Sequence, residues 1–274
     1  MLCVIFYFCG NIDVGDGMNS VNKTLYIPLY GKSYVSQKGI ILKDKQAELI
    51  WNQEGFELKG KAKSKYLAYF MAMRARVFDD WLKDKLNDDC VVLHLGCGMD
   101  SRYLRVECTC LWYDIDFEDV IKERRRYYHE SESYHMIGTD LNQSGWIDDI
   151  KKDKNVIVLI EGMSMYMKYH DLESLFSIIS QNFEHVSLLM DCYSEFGAKM
   201  SKYKNPIHEV GVYEVYGLDE PEKLDHTGLY YSQSYNMTPD CLIDELEGMD
   251  HVIFKTLYSG RTAKKIYKLY EFIK

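Results

Sequence analysis

Two patterns of apolar spacing alternate along the chain, and the change from one to the other divides it. Over residues 64–86 apolar side chains recur every three or four positions (Leu67, Phe70, Met71, Val77, Phe78, Trp81, Leu82), which predicts one long helix with a buried stripe. A shorter helix is expected over residues 44–53, with Asp44 accepting from the free N–H groups of its first turn. The stretch ELKGKAKSK separates the two. From Cys90 onward the helical spacing gives way to short, nearly continuous apolar runs. They cover residues 90–95, 111–115, 134–138, 156–160 and 186–190. Helices are expected at 117–128 and 172–183. Strands buried on both faces and alternating with helices predict a parallel, doubly wound α/β sheet. Residues 193–227 carry Gly, Pro and charged positions and are expected to form an insertion after the fifth strand. Residues 229–235 and 252–258 are the candidates for a closing pair, around a helix at 239–247, which brings the sheet to seven strands.

The first of these strands ends in VVLHLGCGMDSR, residues 91–102. In open parallel sheets ligands bind at the carboxyl ends of the strands, near the point where strand order reverses. Gly96 and Gly98 let the backbone approach such a ligand closely. A dinucleotide site requires a third glycine and a helix start free to take a pyrophosphate. Here Ser101 holds the third position and Asp100 would repel the pyrophosphate, which counts against NAD and FAD. S-adenosylmethionine carries no phosphate. It requires backbone contact for its amino-acid end, an acid for its ribose hydroxyls and an apolar slot for adenine. Asp114 and Asp116 end the second strand, and Asp116, nearer the carboxyl end, is the expected ribose ligand. Asp140 and Leu141 follow the third strand and suit the adenine amine and ring face. Glu161 follows the fourth, placed to meet a cation at the centre of the site.

Composition narrows the partners. The chain has 274 residues, 47% of them apolar, enough for a sizeable core, and a formal charge of −9. An acid excess of that size argues against a nucleic-acid grip, which needs clustered cations. Lys122, Arg124, Arg125 and Arg126 read as the solvated face of a helix. The eight cysteines show neither a disulfide framework nor zinc-knuckle spacing, so no metal is expected and they read as reduced, mostly buried thiols of a cytosolic protein. No segment is long and apolar enough to span a bilayer, so no membrane partner is expected. The residues GDGM can be encoded by a purine-rich ribosome-binding sequence followed by a start codon. Translation is therefore expected to begin at Met18, with residues 1–17 a non-native extension, residues 18–88 a helical cap and residues 89–274 the core. Mass spectrometry of the native N-terminus tests this, and a peptide covering Ile12 overturns it.

The ordered set TLYIPLYGKS, DKQAELI, MAMRARVFDDW, VVLHLGCGMDSRYLRV, WYDIDFEDVIKERRRYY, YHMIGTDL and IEGMSMYM resembles the leucine carboxyl methyltransferase superfamily. It is most similar to the bacterial branch of the tetracenomycin polyketide O-methyltransferase type. The resemblance runs from about Lys23 to Asp191, and implies a Rossmann-like S-adenosylmethionine-dependent methyltransferase fold with an N-terminal helical cap. It also implies roles at matching positions. Arg74 holds the methionyl carboxylate of the cofactor, as a planar guanidinium is suited to do. Gly96 contacts the methionyl amine and Glu161 lies beside it. Asp116 binds the ribose, Asp140 and Leu141 the adenine, and Lys23 lies near the carboxylate. Arg102 is expected to be structural.

The implied reaction is methyl transfer to a hydroxyl or carboxyl oxygen of a small-molecule acceptor. A carboxylate needs no base, whereas a phenol would benefit from one. His94 lies within a strand and His170 begins a helix, and neither is a convincing base. Tyr166 and Tyr193 are candidates for the acceptor pocket. Tyr26, Tyr30, Tyr34, Tyr66 and Tyr69 suit core and interface packing better than an aromatic cap. The alternatives are a protein C-terminal carboxyl methyltransferase, a non-catalytic S-adenosylmethionine-binding protein and, from another class, a nicotinamide dehydrogenase.

Overall fold

A computed structural model describes residues 12–13, 25–55, 57–58, 63–152, 155–204, 214–260 and 263–274. Lys23 and Met18 lie outside the described residues, as do Cys3 and Cys9. Three helices come first: α1 (Tyr26–Lys38), α2 (Lys45–Glu54) and α3 (Lys65–Lys85). Asp44 caps α2 by accepting from the Ala47 N–H at 2.9 Å. Helix α1 was not legible in the sequence, because Pro28 and Gly31 interrupt its pattern. Pro28 lies in the first turn, where an N–H has no intrahelical partner to lose. Gly31 faces α3, where a Cβ would lie 3.2 Å from Met71 Cβ and 3.3 Å from the Ala68 carbonyl. The missing side chain lets α1 lie flush on α3.

The sheet follows. Its strands are β1 (Cys90–Leu95), β2 (Leu111–Asp116), β3 (Tyr134–Gly138), β4 (Asn155–Ile160), β5 (Val186–Tyr193), β6 (Tyr230–Tyr235) and β7 (Tyr267–Ile273). Their order across the sheet is β3-β2-β1-β4-β5-β7-β6. The first five are parallel, and β7 is inserted antiparallel between β5 and β6. The reversal of order falls between β1 and β4, so the carboxyl end of β1 opens onto the crevice. Every residue of β1 is buried. Val92 packs on the side of α3, while Val91, Leu93 and Leu95 pack on the side of α6 (Tyr169–Asn182). Helices on both faces explain the unbroken apolar runs. Between the strands lie the short helices α4 (Arg102–Arg105) and α5 (Glu118–Arg124). After β5 come α7 (Glu195–Lys204) and a 3-10 turn at Pro221–Thr227, in the expected insertion.

The closing pair differs from expectation. Residues 252–258 are not a strand: they fall largely in α9 (Gly248–Leu257), preceded by the short α8 (Asp240–Ile243) where one longer helix was expected. The β-branched and aromatic residues of VIFKTLY suggest a strand, but Phe254 and Tyr258, one turn apart, are buried while Met249 and Val252 are exposed. The true last strand, YKLYEFI, was hidden by Glu271. This carboxylate is buried because Trp81 Nε1 (3.1 Å), Lys85 (2.7 Å), Gln233 (2.7 Å) and the Tyr235 hydroxyl (2.9 Å) all reach it.

Two further readings meet the structure. All six described cysteines are free, and only Cys241 is exposed. Arg124 is not solvated: its guanidinium is fully buried. It bonds Asp114 and donates to the Gly98 carbonyl at 2.9 Å and the Asp100 carbonyl at 2.6 Å. It also stacks 4.0 Å over the Tyr128 ring. The neighbouring Arg125 and Arg126 are exposed, as expected.

Candidate active site

The glycine turn at the end of β1 is built on left-handed backbone. Gly96 has φ +67° and Gly98 φ +51°. A Cβ on Gly96 would lie 2.8 Å from Met163 Sδ, so a larger residue would have to displace that side chain as well as adopt the left-handed backbone. The Gly96 N–H donates to the Ile115 carbonyl at 2.8 Å, and the Gly98 N–H to the Asp116 carboxylate at 2.8 Å. Asp116 also accepts from the Phe117 N–H at 2.8 Å. It lies at the strand end, and burial pushes its carboxyl up despite those two N–H bonds. Asp114, one pleat earlier, is wholly internal. It holds His94 Nδ1 at 3.0 Å, Trp112 Nε1 at 2.8 Å and Arg124. Burial pushes its carboxyl up, but Arg124 and His94 outweigh that and bring it to about 2. Of the two carboxylates on β2, Asp116 therefore stands nearer the crevice.

Across the turn, Arg74 enters from the middle of α3. Its Nε donates to Glu161 at 2.9 Å, and its Nη1 to Asp191 at 3.0 Å and to the Tyr267 hydroxyl at 3.1 Å. That hydroxyl in turn donates to Asp191 at 2.8 Å, and the Gly162 N–H donates to the same carboxylate at 2.7 Å. Arg74 Nη2 makes no hydrogen bond among the described residues. The other oxygen of Glu161 accepts from Arg102. Arg102 continues to Asp79 at 2.7 Å and lies 3.4 Å from Asp100. Arg105 links Asp79 (2.6 Å), Asp44 (2.7 Å) and Asp100 (2.9 Å). A buried chain of ion pairs thus runs from the start of α2 to β5. Burial raises the Glu161 carboxyl, but Arg102 and Arg74 outweigh it and hold the group at about 2. Burial likewise acts on Asp100, and Arg102, Arg105 and Lys32 overcome it, keeping that carboxyl well below its usual range. Asp191 goes the other way, because burial outweighs Arg74.

These groups line one cavity. Its lining combines the polar groups of Arg74, Glu161, Asp100 and Lys32 and the glycine turn at Gly96 and Gly98 with the apolar and phenolic side chains of Ile27, Pro28, Met71, Met165, Tyr166 and Tyr193. His94 also lines it, but Nδ1 faces Asp114 and Nε2 lies 3.3 Å from Arg102 Nη1, so both ring nitrogens are engaged. Arg102 is fully buried within the ion-pair chain, in keeping with a structural role. Asp116 touches this cavity only through the Gly98 N–H that donates to it, and the Thr139 N–H donates to its carbonyl at 2.8 Å, tying β3 to β2. Asp140 follows and accepts from the Asn142 N–H at 3.0 Å, while Leu141 is buried on the α6 side. The cavity therefore gathers Arg74, Gly96 and Glu161 of the expected site residues, whereas Asp116, Asp140 and Leu141 are not among its lining.

Four residues of this region went unnoticed in the sequence. Lys32 lies on the helix that the pattern concealed, and Tyr267 on the strand that it concealed. Asp191 directly follows the apolar run ending at Met190 and so repeats the signal of an acid at a strand end. Phe117 follows Asp116 and is 55% exposed, unusual for a large aromatic side chain.

Comparison with known proteins agrees with this architecture. Residues 22–180 match the family model described as Leucine carboxyl methyltransferase. The tetracenomycin polyketide synthesis O-methyltransferase of Streptomyces glaucescens is 26% identical over 227 residues, covering 80% of this chain and 84% of that protein. An S-adenosyl-L-methionine-dependent methyltransferase of Gibberella zeae is 27% identical over 183 residues, covering 60% of this chain and 61% of its own. Among solved structures, magnesium protoporphyrin IX methyltransferase from Synechocystis PCC 6803 superposes with a TM-score of 0.51 at 13% identity. That match covers 90% of this chain and 99% of the other, and speaks for the fold alone. With more than half of its length matched by the family model, this chain is a member of the leucine carboxyl methyltransferase family and an enzyme of methyl transfer.

Proposed function

We propose that the protein is an S-adenosylmethionine-dependent O-methyltransferase whose acceptor is a flat, uncharged small molecule bearing a phenolic hydroxyl. The observation that carries this reading is the mixed lining of the cavity. It combines paired charges suited to a zwitterionic amino acid with methionine and tyrosine side chains. The donor set fits the cofactor chemically. Arg74 has Nη2 left for a carboxylate, Glu161 offers a carboxylate to an ammonium, and Gly96 and Gly98 allow close backbone approach. Asp116 receives the ribose hydroxyls, and Asp140 and Leu141 receive adenine. Lys23 belongs to the same carboxylate end by family resemblance. Bound there, S-adenosylmethionine supplies a methyl group on a cationic sulfur that an oxygen nucleophile can take directly.

The residues of this chain then align rather than activate. Holding an acceptor oxygen in line with a fixed donor can supply roughly 7–11 kcal/mol of the barrier reduction. Ile27, Pro28, Met71 and Met165 exclude water, and Tyr166 and Tyr193 present phenolic edges to an aromatic ring. The relative from Streptomyces glaucescens, named as a polyketide O-methyltransferase, supports the choice of acceptor class. The free, mostly buried thiols fit a reducing, cytosolic setting.

Calorimetric titration with S-adenosylmethionine and with NAD, on the wild type and on Arg74→Ala and Asp116→Ala, tests the donor. Binding of the former, weakened by both changes, is expected; binding of NAD instead would reject the reading. Incubation with labelled donor and parallel panels of phenols and carboxylic acids tests the acceptor. Turnover confined to the carboxylic acids would overturn the phenol assignment.

A further inference from the structure

Lys32 is buried to 3% exposure on α1, where no lysine was expected to be inside. The close approach permitted by Gly31 carries it over the glycine turn. Its Nζ lies 3.0 Å from Asp100, its one partner among the described residues. Asp100 does not need it: Arg105 reaches the same carboxylate at 2.9 Å and Arg102 lies 3.4 Å away. An ammonium has three N–H donors. Lys32 therefore brings spare donors into the cavity that Arg74 and Glu161 line. Two cations from different helices, α1 and α3, line the same cavity beside a carboxylate already paired.

We propose that Lys32 is a ligand of the donor's methionyl carboxylate, acting together with Arg74, so that α1 is part of the cofactor site. This rests on the reading of the donor as S-adenosylmethionine. It also couples the two substrates. Ile27 and Pro28, on the same helix about one turn before Lys32, line the same cavity, so a carboxylate held by Lys32 also fixes the helix that carries these apolar side chains.

The test uses two nucleosides. S-adenosylhomocysteine keeps the amino-acid end, whereas 5′-methylthioadenosine is the matching thioether without it. Both are titrated calorimetrically into the wild type, Lys32→Met and Lys32→Arg. A charge-assisted bond to the carboxylate predicts that Lys32→Met weakens S-adenosylhomocysteine by about tenfold or more. Methylthioadenosine affinity is expected to stay unchanged, which also shows the variant to be folded. Lys32→Arg is expected to restore most of the loss. Equal weakening of both nucleosides, or of neither, overturns the role of Lys32. If the wild type binds neither nucleoside, the donor reading itself fails, independently of Lys32.

Discussion

Asp191 and Arg74 meet across 3.0 Å in the interior, one from β5 and the other from the middle of α3. Asp191 also takes the Tyr267 hydroxyl and the Gly162 N–H, so a single carboxylate sets the arginine and the backbone after Glu161. Asp191→Ala removes the acceptor of the Tyr267 hydroxyl and the Gly162 N–H and the carboxylate partner of Arg74, and removing one partner of a buried pair costs about 3–5 kcal/mol. Asp191→Asn keeps an acceptor oxygen and is expected to lose about 1–3 kcal/mol. Both variants are expected to bind S-adenosylmethionine more weakly through a displaced Arg74. Urea denaturation and calorimetry read the two effects, and wild-type stability in the alanine variant would rule out this role.

Glu161 makes stability sensitive to acid. Its carboxyl is held at about 2, below the ordinary 4.5, because Arg102 and Arg74 outweigh the effect of burial. A depressed acid stabilises the fold fully above its unfolded value and loses that contribution as pH falls toward its folded value. The Glu161 contribution is therefore present above pH 4.5 and declines toward about 2. Glu161→Gln never has it. Denaturation of the two proteins across this range should show the wild type more stable at neutral pH and the gap closing in acid. A gap that stays constant would mean that the pairs with Arg74 and Arg102 contribute nothing net.

Arg124 separates what the sequence reveals from what it conceals. Arg124→Ala is expected to destabilise by about 3–5 kcal/mol, since Asp114 would lose its buried cation. Arg125→Ala and Arg126→Ala should stay within about 0.5 kcal/mol. Thermal melts of the three variants check this.

In sequence, the three arginines differ in nothing but position. Helical spacing shows only that Val120, Ile121 and Arg124 share a face, and a charged residue there is ordinarily assigned to solvent. Its partner Asp114 lies on another element, and pairing across elements leaves no local trace. The same limit hid Glu271 within β7 and Lys32 within α1. The five parallel strands were legible because burial on both faces leaves unbroken apolar runs. Asp116, Asp140 and Glu161 were legible because each stands at or just after the end of such a run, a signal that Asp191 carries as well. The buried ion pairs were not, because they are satisfied only in three dimensions.

Gly96→Ala carries two penalties. Its φ of +67° disfavours a side chain, and the new Cβ would sit 2.8 Å from Met163 Sδ. A non-glycine residue held in that region costs about 1–3 kcal/mol. Adding Met163→Ala should relieve the contact but not the backbone strain, so rescue is expected to be partial. Full rescue, read by melts and donor binding, would show that crowding alone excludes a side chain.

The acceptor chemistry makes the last prediction. His94 is engaged at both nitrogens, and His170 sits on α6 with its side chain 69% exposed beside Asp171. Neither is placed to take a proton from an acceptor hydroxyl. With no disengaged histidine lining the cavity among the described residues, the acceptor is expected to ionise by its own acidity, helped by the cationic donor. Across a series of phenols more acidic than an ordinary phenol near 10, the apparent pKa of the transfer rate is expected to follow the phenol. Tyr166→Phe and Tyr193→Phe should raise the acceptor KM more than they weaken donor binding, because both line the cavity and neither hydroxyl bonds Arg74 or Glu161. An apparent pKa that stays fixed across the series would reveal an enzyme base and reject this account of the chemistry.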